Sequence, residues 1–247
     1  MYPVIPLGPL RLEARPLLLL IALWAFLEIG AREARRRGLD GDHVYNAGLY
    51  SLVGGALAGR VAHVFVYWPA YRSDPPQILS LNPNALVAPV VMIVALAVIA
   101  AYLWHYRLPA APLADALAPA FLVSLALMSI ADLLSGRAYG LPSDLPWAIP
   151  LWGARRHPTQ VYQLLATLAV LAFIWRARAR ARPAGSLALW GLLGISASWL
   201  FVETFRADST LLPGGFRAGQ VVALSGVLLA LGLLWWLHTR PSTDSES

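Results

Sequence analysis

Five of the ionisable side chains inside or at the ends of long apolar stretches of this sequence are candidates for chemistry. They are Arg60, His63, Asp132, Glu203 and Arg206. A charged group at bilayer depth costs roughly 2.5–3.5 kcal/mol on insertion scales unless it is paired or wetted, so such groups are candidates for function. Arg60 and His63 stand three positions apart, as do Glu203 and Arg206, and each pair shares one helix face. Structural ion pairs, a satisfied buried histidine and a helix cap at Asp132 are the alternative explanations.

Arginine also recurs in the polar segment between residues 135 and 157. This segment contributes Arg137, Arg155, Arg156 and His157. Guanidinium groups form bidentate hydrogen bonds with phosphate oxygens. Such a cluster at the outer boundary of a membrane predicts binding of an anionic phospholipid headgroup, with the acyl chains between the helices. Snorkelling to the interface explains any single arginine, but it explains the within-span Arg60 poorly.

The composition indicates that a membrane protein positions these groups. Of 247 residues, 58% are hydrophobic and 13% are charged, and the mean hydropathy is +0.61. Soluble domains are about 45–50% apolar and about 25% charged, so a disordered chain is excluded and a soluble enzyme is disfavoured. Cysteine is absent, which excludes disulfides, thiolate metal sites and a cysteine nucleophile. The five histidines lack metal-ligand spacing, and we expect neither a metal nor a cofactor.

Seven apolar stretches have roughly the length of a membrane span. They cover residues 16–31, 44–68, 84–104, 113–134, 158–175, 187–205 and 218–237. We therefore predict an all-α integral membrane protein with about seven transmembrane helices. Residues 1–240 are predicted to form one polytopic domain, followed by a short polar cytoplasmic tail over 241–247. We expect no cleavable signal peptide.

The distribution of arginine predicts the orientation. All 19 basic residues are arginine and the net charge is +6. In a seven-span arrangement, ten loop arginines fall on one side and seven on the other, and the dense clusters at 32–37 and 176–182 share a side. The positive-inside rule places that side in the cytoplasm, with the N-terminus outside and the C-terminus inside. The positive charge thus indicates topology and a phospholipid partner, and we expect no nucleic acid.

Three segments together resemble a known family. The first is Gly59-Arg60 within span 2, the second is Gly136-Arg137 with His157-Pro158-Thr159-Gln160-Val161-Tyr162, and the third is Glu203-Thr204-Phe205-Arg206 with Gly219-Gln220. Their order, spacing and span placement resemble bacterial prolipoprotein diacylglyceryl transferase, a family with seven spans and an external N-terminus. The segment from His157 to Tyr162 is the most specific element.

The resemblance implies transfer of sn-1,2-diacylglyceryl from phosphatidylglycerol to the lipobox cysteine of a preprolipoprotein, in the bacterial cytoplasmic membrane. Glycerol-1-phosphate would leave and a thioether would form. The expected partners are phosphatidylglycerol or another anionic phospholipid, the bilayer and lipoprotein signal peptides. Together with the charged groups inside the apolar stretches, this gives the candidate catalytic residues Glu203, Arg206, His157 and His63. The candidate substrate-binding residues are Arg60, Arg137, Gln160, Tyr162, Asp132 and Gln220.

Several positions depart from the family pattern. No His-Gly-Gly motif occurs near residues 80–92, and the Arg-x-Gly-Asn motif expected near 125–133 is absent. Trp199 stands where the pattern has arginine, and Gln163 where it has glutamate. The chain is therefore a divergent transferase with a rearranged set of residues, a catalytically inactive paralogue that binds anionic phospholipid, or a transferase for a different lipid or acceptor.

Overall fold

A computed structural model describes residues 4–7, 10–79, 85–180 and 182–239. Within these ranges, the helices are α1 (Ala14–Arg36), α2 (Asp42–Val66), α3 (Trp68–Ser73), α4 (Ala88–His105), α5 (Ala110–Ser135), α6 (Thr159–Ala177), α7 (Ser186–Val202) and α8 (Ala218–Thr239). All except the short α3 are long and apolar enough to cross a membrane. The prediction of an all-α membrane protein with seven spans is confirmed. The orientation stays a prediction, and the predicted tail over 241–247 lies outside the described residues.

The helix ends differ from the predicted spans by a few residues, and two differences have local causes. The predicted span 84–104 begins instead at Ala88, because Val87 is extended and a proline occupies the first turn of α4, where its missing N–H is tolerated. The predicted span 187–205 is helical only to Val202 and ends in a 3₁₀ turn over Glu203–Phe205. Glu203 therefore lies in a turn at the end of the helix.

The chain forms two compact units, one of residues 38–110 and one of residues 1–37 with 111–247. In the unit of residues 38–110, α2 packs on α4. The glycines of α2 permit this approach, since a side chain at Gly55 would meet the carbonyl oxygen of Val91 and one at Gly59 would overlap the Val91 side chain. Small residues at close helix crossings are typical of membrane proteins. A single polytopic domain over 1–240 stays a prediction.

In the larger unit, α7 packs against both α6 and α8. A side chain at Gly194 would overlap Val170 of α6, and one at Gly226 of α8 would overlap Ser196. The buried core between α5, α6 and α7 consists of Ala118, Leu122, Ile174, Ala177, Leu187 and Ile195. Helix α1 joins this unit partly through the Ser124 hydroxyl, which donates to the Ala22 carbonyl oxygen at 2.9 Å.

The N-terminus of α7 is capped by a carboxylate from another helix. Asp115 of α5 is 3% exposed, and its two oxygens accept hydrogen bonds from the backbone N–H groups of Gly185 at 2.9 Å and Ala188 at 2.8 Å. The Arg37 guanidinium lies 3.8 Å from the same carboxylate. A negative charge at a helix N-terminus satisfies free N–H groups and interacts favourably with the helix dipole. Asp115 thus fixes where α7 begins relative to α5.

Two short antiparallel hairpins, which the sequence analysis did not predict, complete the described structure. Their strands are β1 (Val4–Leu7), β2 (Leu10–Glu13), β3 (Ile149–Leu151) and β4 (Ala154–Arg156). The turn between β3 and β4 consists of Trp152 and Gly153, whose φ angles are 52° and 75°. Positive φ at both central residues is the geometry of a two-residue hairpin turn that matches strand twist.

Candidate active site

An extended segment over residues 139–143 connects two of the motifs through the main chain. Leu141 donates its N–H to the Phe205 carbonyl oxygen at 2.8 Å, and its own carbonyl oxygen accepts from the His157 N–H at 3.0 Å. The motif that begins at His157 and the motif that ends at Arg206 therefore both bond to the main chain of one short segment. Neither motif was predicted to contact the other in this way.

Gly140 permits this close approach. A side chain at Gly140 would overlap the His157 carbonyl oxygen and lie 2.6 Å from the His157 Cβ atom. Gly140 also pairs with Arg206 in an antiparallel bridge. A glycine inside such a pairing marks a point where two backbones come close together, and the site requires one here.

Glu203 is the most deeply buried acidic group of the site, at 4% exposure. One of its carboxylate oxygens accepts a hydrogen bond from the Ser209 hydroxyl at 2.7 Å, and the other lies 3.4 Å from the Arg206 guanidinium. A Cβ atom at Gly219 would lie 2.6 Å from the Glu203 carboxyl carbon. The ion pair inferred from the three-residue spacing is formed, and Gly219, with Gln220 beside it at the start of α8, makes room for the carboxylate.

Arg206 lies between two carboxylates. In addition to Glu203, it contacts Asp208, with the Arg206 Nε atom 3.0 Å from the Asp208 Oδ1 atom. The Arg206 side chain is 23% exposed, so the guanidinium is held in place and is still accessible at one edge. Arginine held in this way can offer its free N–H groups to a phosphate.

Arg217 is a residue of this site that the sequence analysis did not assign. Its Nη1 atom donates to the carbonyl oxygens of Glu203 at 2.5 Å and Arg206 at 2.6 Å. Arg217 thus holds the main chain of the turn that presents both side chains. The available signal was its position two residues before Gly219, although an arginine that bonds to main-chain carbonyls has no sequence pattern of its own.

Gln160 lies in the first turn of α6 and is 2% exposed. Its Nε2 atom donates to the Arg137 carbonyl oxygen at 2.6 Å, while the adjacent Thr159 hydroxyl donates to the Ala138 carbonyl oxygen at 2.6 Å. Arg137 therefore contributes to this part of the site through its main chain, and the residue itself is exposed.

His157, Tyr162 and Trp147 form a chain of polar contacts at the start of α6. The Trp147 indole N–H donates to the Tyr162 hydroxyl at 2.8 Å, and this hydroxyl lies 3.3 Å from the His157 Nδ1 atom. The Phe205 ring packs on the imidazole, with ring centroids 5.1 Å apart. These contacts fix the orientation of the imidazole and engage one of its two ring nitrogens.

A pocket of about 100 Å³ lies among α5, α6, α7 and the turn that follows α7. Its polar lining residues are Ser129, Asp132, Thr159, Gln160, Gln163 and Arg206. The remaining wall is apolar and includes the Trp199 ring. Of the predicted residues, Gln160, Asp132 and Arg206 line this one pocket. Asp132 does not act as a helix cap here, because it pairs with Arg15, with the Arg15 Nε atom 3.3 Å from the Asp132 Oδ1 atom.

Arg60 and His63 belong to the compact unit of residues 38–110. The Arg60 guanidinium donates to the carbonyl oxygens of Gln77 at 2.6 Å, Ile78 at 3.2 Å and Ala85 at 3.3 Å. The His63 Nδ1 atom lies 3.1 Å from the Tyr71 hydroxyl. In this unit Arg60 thus contacts the main chain of the 3₁₀ turn over Pro75–Leu79 and the main chain of Ala85. A phosphate-binding role for Arg60 and a proton-transfer role for His63 stay predictions.

The fold and the site define a polytopic membrane protein with a largely apolar pocket between its helices, into which several polar side chains project. Residues 3–236 match the prolipoprotein diacylglyceryl transferase family. The chain is 31% identical to a phosphatidylglycerol–prolipoprotein diacylglyceryl transferase of Bordetella avium, over 96% of this chain and 94% of the relative. It is 26% identical to the protein of that name in Synechococcus elongatus, over 94% and 86% of the two chains. The chain belongs to the prolipoprotein diacylglyceryl transferase family, and it is a multi-pass protein of the bacterial cytoplasmic membrane.

Two departures from the family pattern can now be located. Gln163 and Trp199 both line the pocket that contains Gln160 and Arg206. The stretch 125–133, where the Arg-x-Gly-Asn motif was expected, also contributes to this lining, through Ser129 among others. The position of the His-Gly-Gly motif, near 80–92, lies partly outside the described residues.

Proposed function

We propose that this protein transfers the diacylglyceryl group of phosphatidylglycerol to the cysteine thiol of a prolipoprotein. The observation that supports this most strongly is the pocket itself. It brings Gln160, from the motif that begins at His157, together with Arg206, from the motif that follows α7. In a member of this family, that convergence favours a site for the donor lipid.

The reaction requires a thiolate and a stabilised leaving group. The cysteine thiol gives its proton to a base, and the sulfur then attacks the glycerol carbon that carries the phosphate ester. The carbon–oxygen bond breaks, its electron pair stays with the phosphate oxygen, and glycerol-1-phosphate leaves as the thioether forms. Because a free thiol has a pKa of about 8.5, a neighbouring base raises the fraction of thiolate.

We assign stabilisation of the leaving phosphate to Arg206. Its guanidinium is already oriented by Glu203 and Asp208, so little reorganisation is needed when negative charge develops on the phosphate. Glu203, which is buried and bound by Ser209, acts as the group that positions Arg206. His157 is the candidate base: when its Nδ1–H donates to the Tyr162 hydroxyl, the neutral imidazole has a lone pair on Nε2 that can accept a proton.

The acceptor peptide is proposed to lie along an apolar groove next to this pocket. Trp147, Tyr162, Phe201 and Phe205 line the groove together with His157. Trp147 is 58% exposed and Phe201 is 64% exposed. A groove of this kind suits the apolar part of a signal peptide, and the placement would bring the lipobox cysteine close to His157.

Complementation tests the proposal. The chain is expressed in bacteria depleted of their own transferase, and lipidation of a reporter lipoprotein is followed by its change in mobility and mass. Arg206→Ala is expected to lower the rate at least 100-fold, since removal of one preorganised donor typically costs 10²–10³ in rate. Arg180→Ala removes the same charge from an exposed position just after α6 and is expected to leave lipidation unchanged.

Two outcomes would reject the proposal. If the wild-type protein inserts in the membrane but lipidates nothing, the chain binds lipid without transferring it or uses another acceptor. If wild type lipidates the reporter and Arg206→Ala does so at an equal rate, the transferase activity stands and the assignment of Arg206 is wrong.

A further inference from the structure

We propose that the side-chain amide oxygens of Gln160 and Gln163 accept hydrogen bonds from hydroxyl groups of the donor lipid's headgroup. The two residues would thereby select a polyol headgroup over one that lacks hydroxyls. This inference rests on the proposed function, because the headgroup in question is that of the donor lipid. Gln160 and Gln163 would then be the residues that determine which headgroup the protein selects.

The orientation of the Gln160 amide follows from its partner. The Arg137 carbonyl oxygen can only accept a hydrogen bond, so the group that faces it at 2.6 Å must be the Gln160 Nε2 atom. The Oε1 atom is buried and has no hydrogen-bond partner among the described residues. An unsatisfied buried acceptor typically costs about 1–3 kcal/mol, which implies that a donor occupies this position in the working protein.

Gln163 lies one turn further along α6 and shows the same pattern. Its Nε2 atom donates to the hydroxyls of Thr167 at 3.3 Å and Ser198 at 3.4 Å. The Ser198 hydroxyl donates its own hydrogen to the Ile195 carbonyl oxygen at 2.8 Å, so it can only accept from Gln163. The Gln163 Oε1 atom therefore takes part in neither of these hydrogen bonds. Like the Gln160 Oε1 atom, it is buried and has no hydrogen-bond partner among the described residues.

The lining hydroxyl groups and the Arg206 guanidinium already have partners. The Ser129 hydroxyl donates to Leu125, the Thr159 hydroxyl donates to Ala138, and the Arg206 guanidinium contacts two carboxylates. The two amide oxygens can therefore accept hydrogen bonds from donors carried by a ligand. The pocket of about 100 Å³ is several times the space of roughly 10–15 Å³ that one water needs, so it can hold a small polar group.

The chemistry of the ligand follows from the fact that both amide oxygens are hydrogen-bond acceptors. Phosphate and ester oxygens only accept hydrogen bonds, and they cannot satisfy an amide oxygen. Hydroxyl groups can, so the glycerol end of the headgroup fits the two glutamines, while the phosphate fits the exposed edge of Arg206. Gln163 and Trp199 stand where the family pattern has glutamate and arginine, so this wall of the pocket is neutral in this chain.

The test compares two lipids that differ only in the hydroxyls. The purified full-length protein in detergent is titrated with phosphatidylglycerol and with phosphatidylpropanol of the same acyl chains, and the dissociation constants are measured by native mass spectrometry. Transfer to a synthetic lipobox peptide is measured in parallel with each lipid. Wild type is expected to bind phosphatidylglycerol at least tenfold more tightly, which corresponds to about 1.4 kcal/mol.

The variants are Gln160→Leu and Gln163→Met, with Gln77→Leu as the matched control, because Gln77 is exposed and lies outside this pocket. Each pocket variant is expected to reduce the binding preference about threefold, half of the 1.4 kcal/mol, and the control is expected to keep it. Gln163→Met removes an unpaired oxygen at nearly constant volume, so it tests the inference even if Gln160→Leu does not fold.

Each outcome bears on one of the two proposals. Equal affinity of the wild-type protein for the two lipids would show that only water occupies the pocket and would overturn the inference. An unchanged preference in a folded Gln163→Met protein and in a folded Gln160→Leu protein would overturn it as well. A clear binding preference without any peptide transfer would support the inference and reject the transferase function. Peptide transfer without a binding preference would support the transferase function and overturn the inference.

Discussion

Arg217 is expected to control the rate of transfer although its closest contacts in the site are with main-chain carbonyl oxygens. Its Nη1 atom holds the carbonyl oxygens of Glu203 and Arg206 at 2.5 and 2.6 Å. Hydrogen bonds to charged groups contribute about 1.5–3 kcal/mol each. The two bonds share one donor atom, so we expect their combined loss in Arg217→Met to be about 3 kcal/mol and not the sum of two full bonds.

Most of this lost hydrogen-bond energy should raise the free energy of the transition state for transfer. The turn that Arg217 holds presents Arg206, whose proposed role is to stabilise charge that develops only as the phosphate leaves. We therefore expect Arg217→Met to lower kcat by about 100-fold, equivalent to about 2.7 kcal/mol, and to change KM for the lipid by less than threefold. Arg217→Lys keeps one donor group within reach of the carbonyls and should recover about a tenth of the wild-type rate.

The assay is steady-state transfer from phosphatidylglycerol vesicles to a fluorescent lipobox peptide, with thermal unfolding measured on each variant. Arg72→Met, at an exposed position in the unit of residues 38–110, provides the matched control. A folded Arg217→Met protein with wild-type kcat would refute the reasoning. An equal loss in Arg72→Met would show that the effect is one of net charge.

Two further predictions concern stability. Asp115→Ala should lower the free energy of unfolding by about 3 kcal/mol, because it removes two charge-assisted hydrogen bonds from the N-terminus of α7. The control Asp42→Ala, at an exposed position, should lower it by less than 1 kcal/mol. Equal losses for the two variants, measured by steric-trap unfolding, would contradict the capping role of Asp115. Gly140→Ala should abolish lipidation in the complementation strain and lower the thermal midpoint, because its Cβ would overlap His157, while Gly232→Ala, with open space around it, should be tolerated.

The number and approximate position of the long helices can be predicted from the apolar stretches of the sequence, whereas the residues at which the helices begin and end cannot. Long apolar runs are required to cross a bilayer, and each of the seven was found at its expected place. The end of α7 was placed at 205 because Phe201 and Phe205 continue the apolar run, but the last turn tightens into 3₁₀ geometry. The cap from Asp115 is a contact between helices far apart in the chain, and hydropathy does not report such contacts.

The site was partly predictable for a similar reason. A three-residue spacing places Glu203 and Arg206 on one helical face, and they form the expected ion pair. Arg137 was expected to act through its guanidinium, but the contact it makes with Gln160 uses its carbonyl oxygen. Arg137 and the two residues that Arg217 contacts all accept through main-chain carbonyl oxygens, so these contacts are nearly independent of the side-chain type of the accepting residue.

The extended segment over residues 139–143 has a consequence for how this family can diverge. Hydrogen bonds between main-chain atoms, together with Gly140, hold the two motifs beside each other. Such bonds survive almost any change of side chain, so the frame of the site can persist while the residues that line it are exchanged. Gln163 and Trp199 are such exchanges, and they leave this frame intact. The main chain keeps the architecture constant, and the pocket wall is the part in which a new lipid preference can evolve.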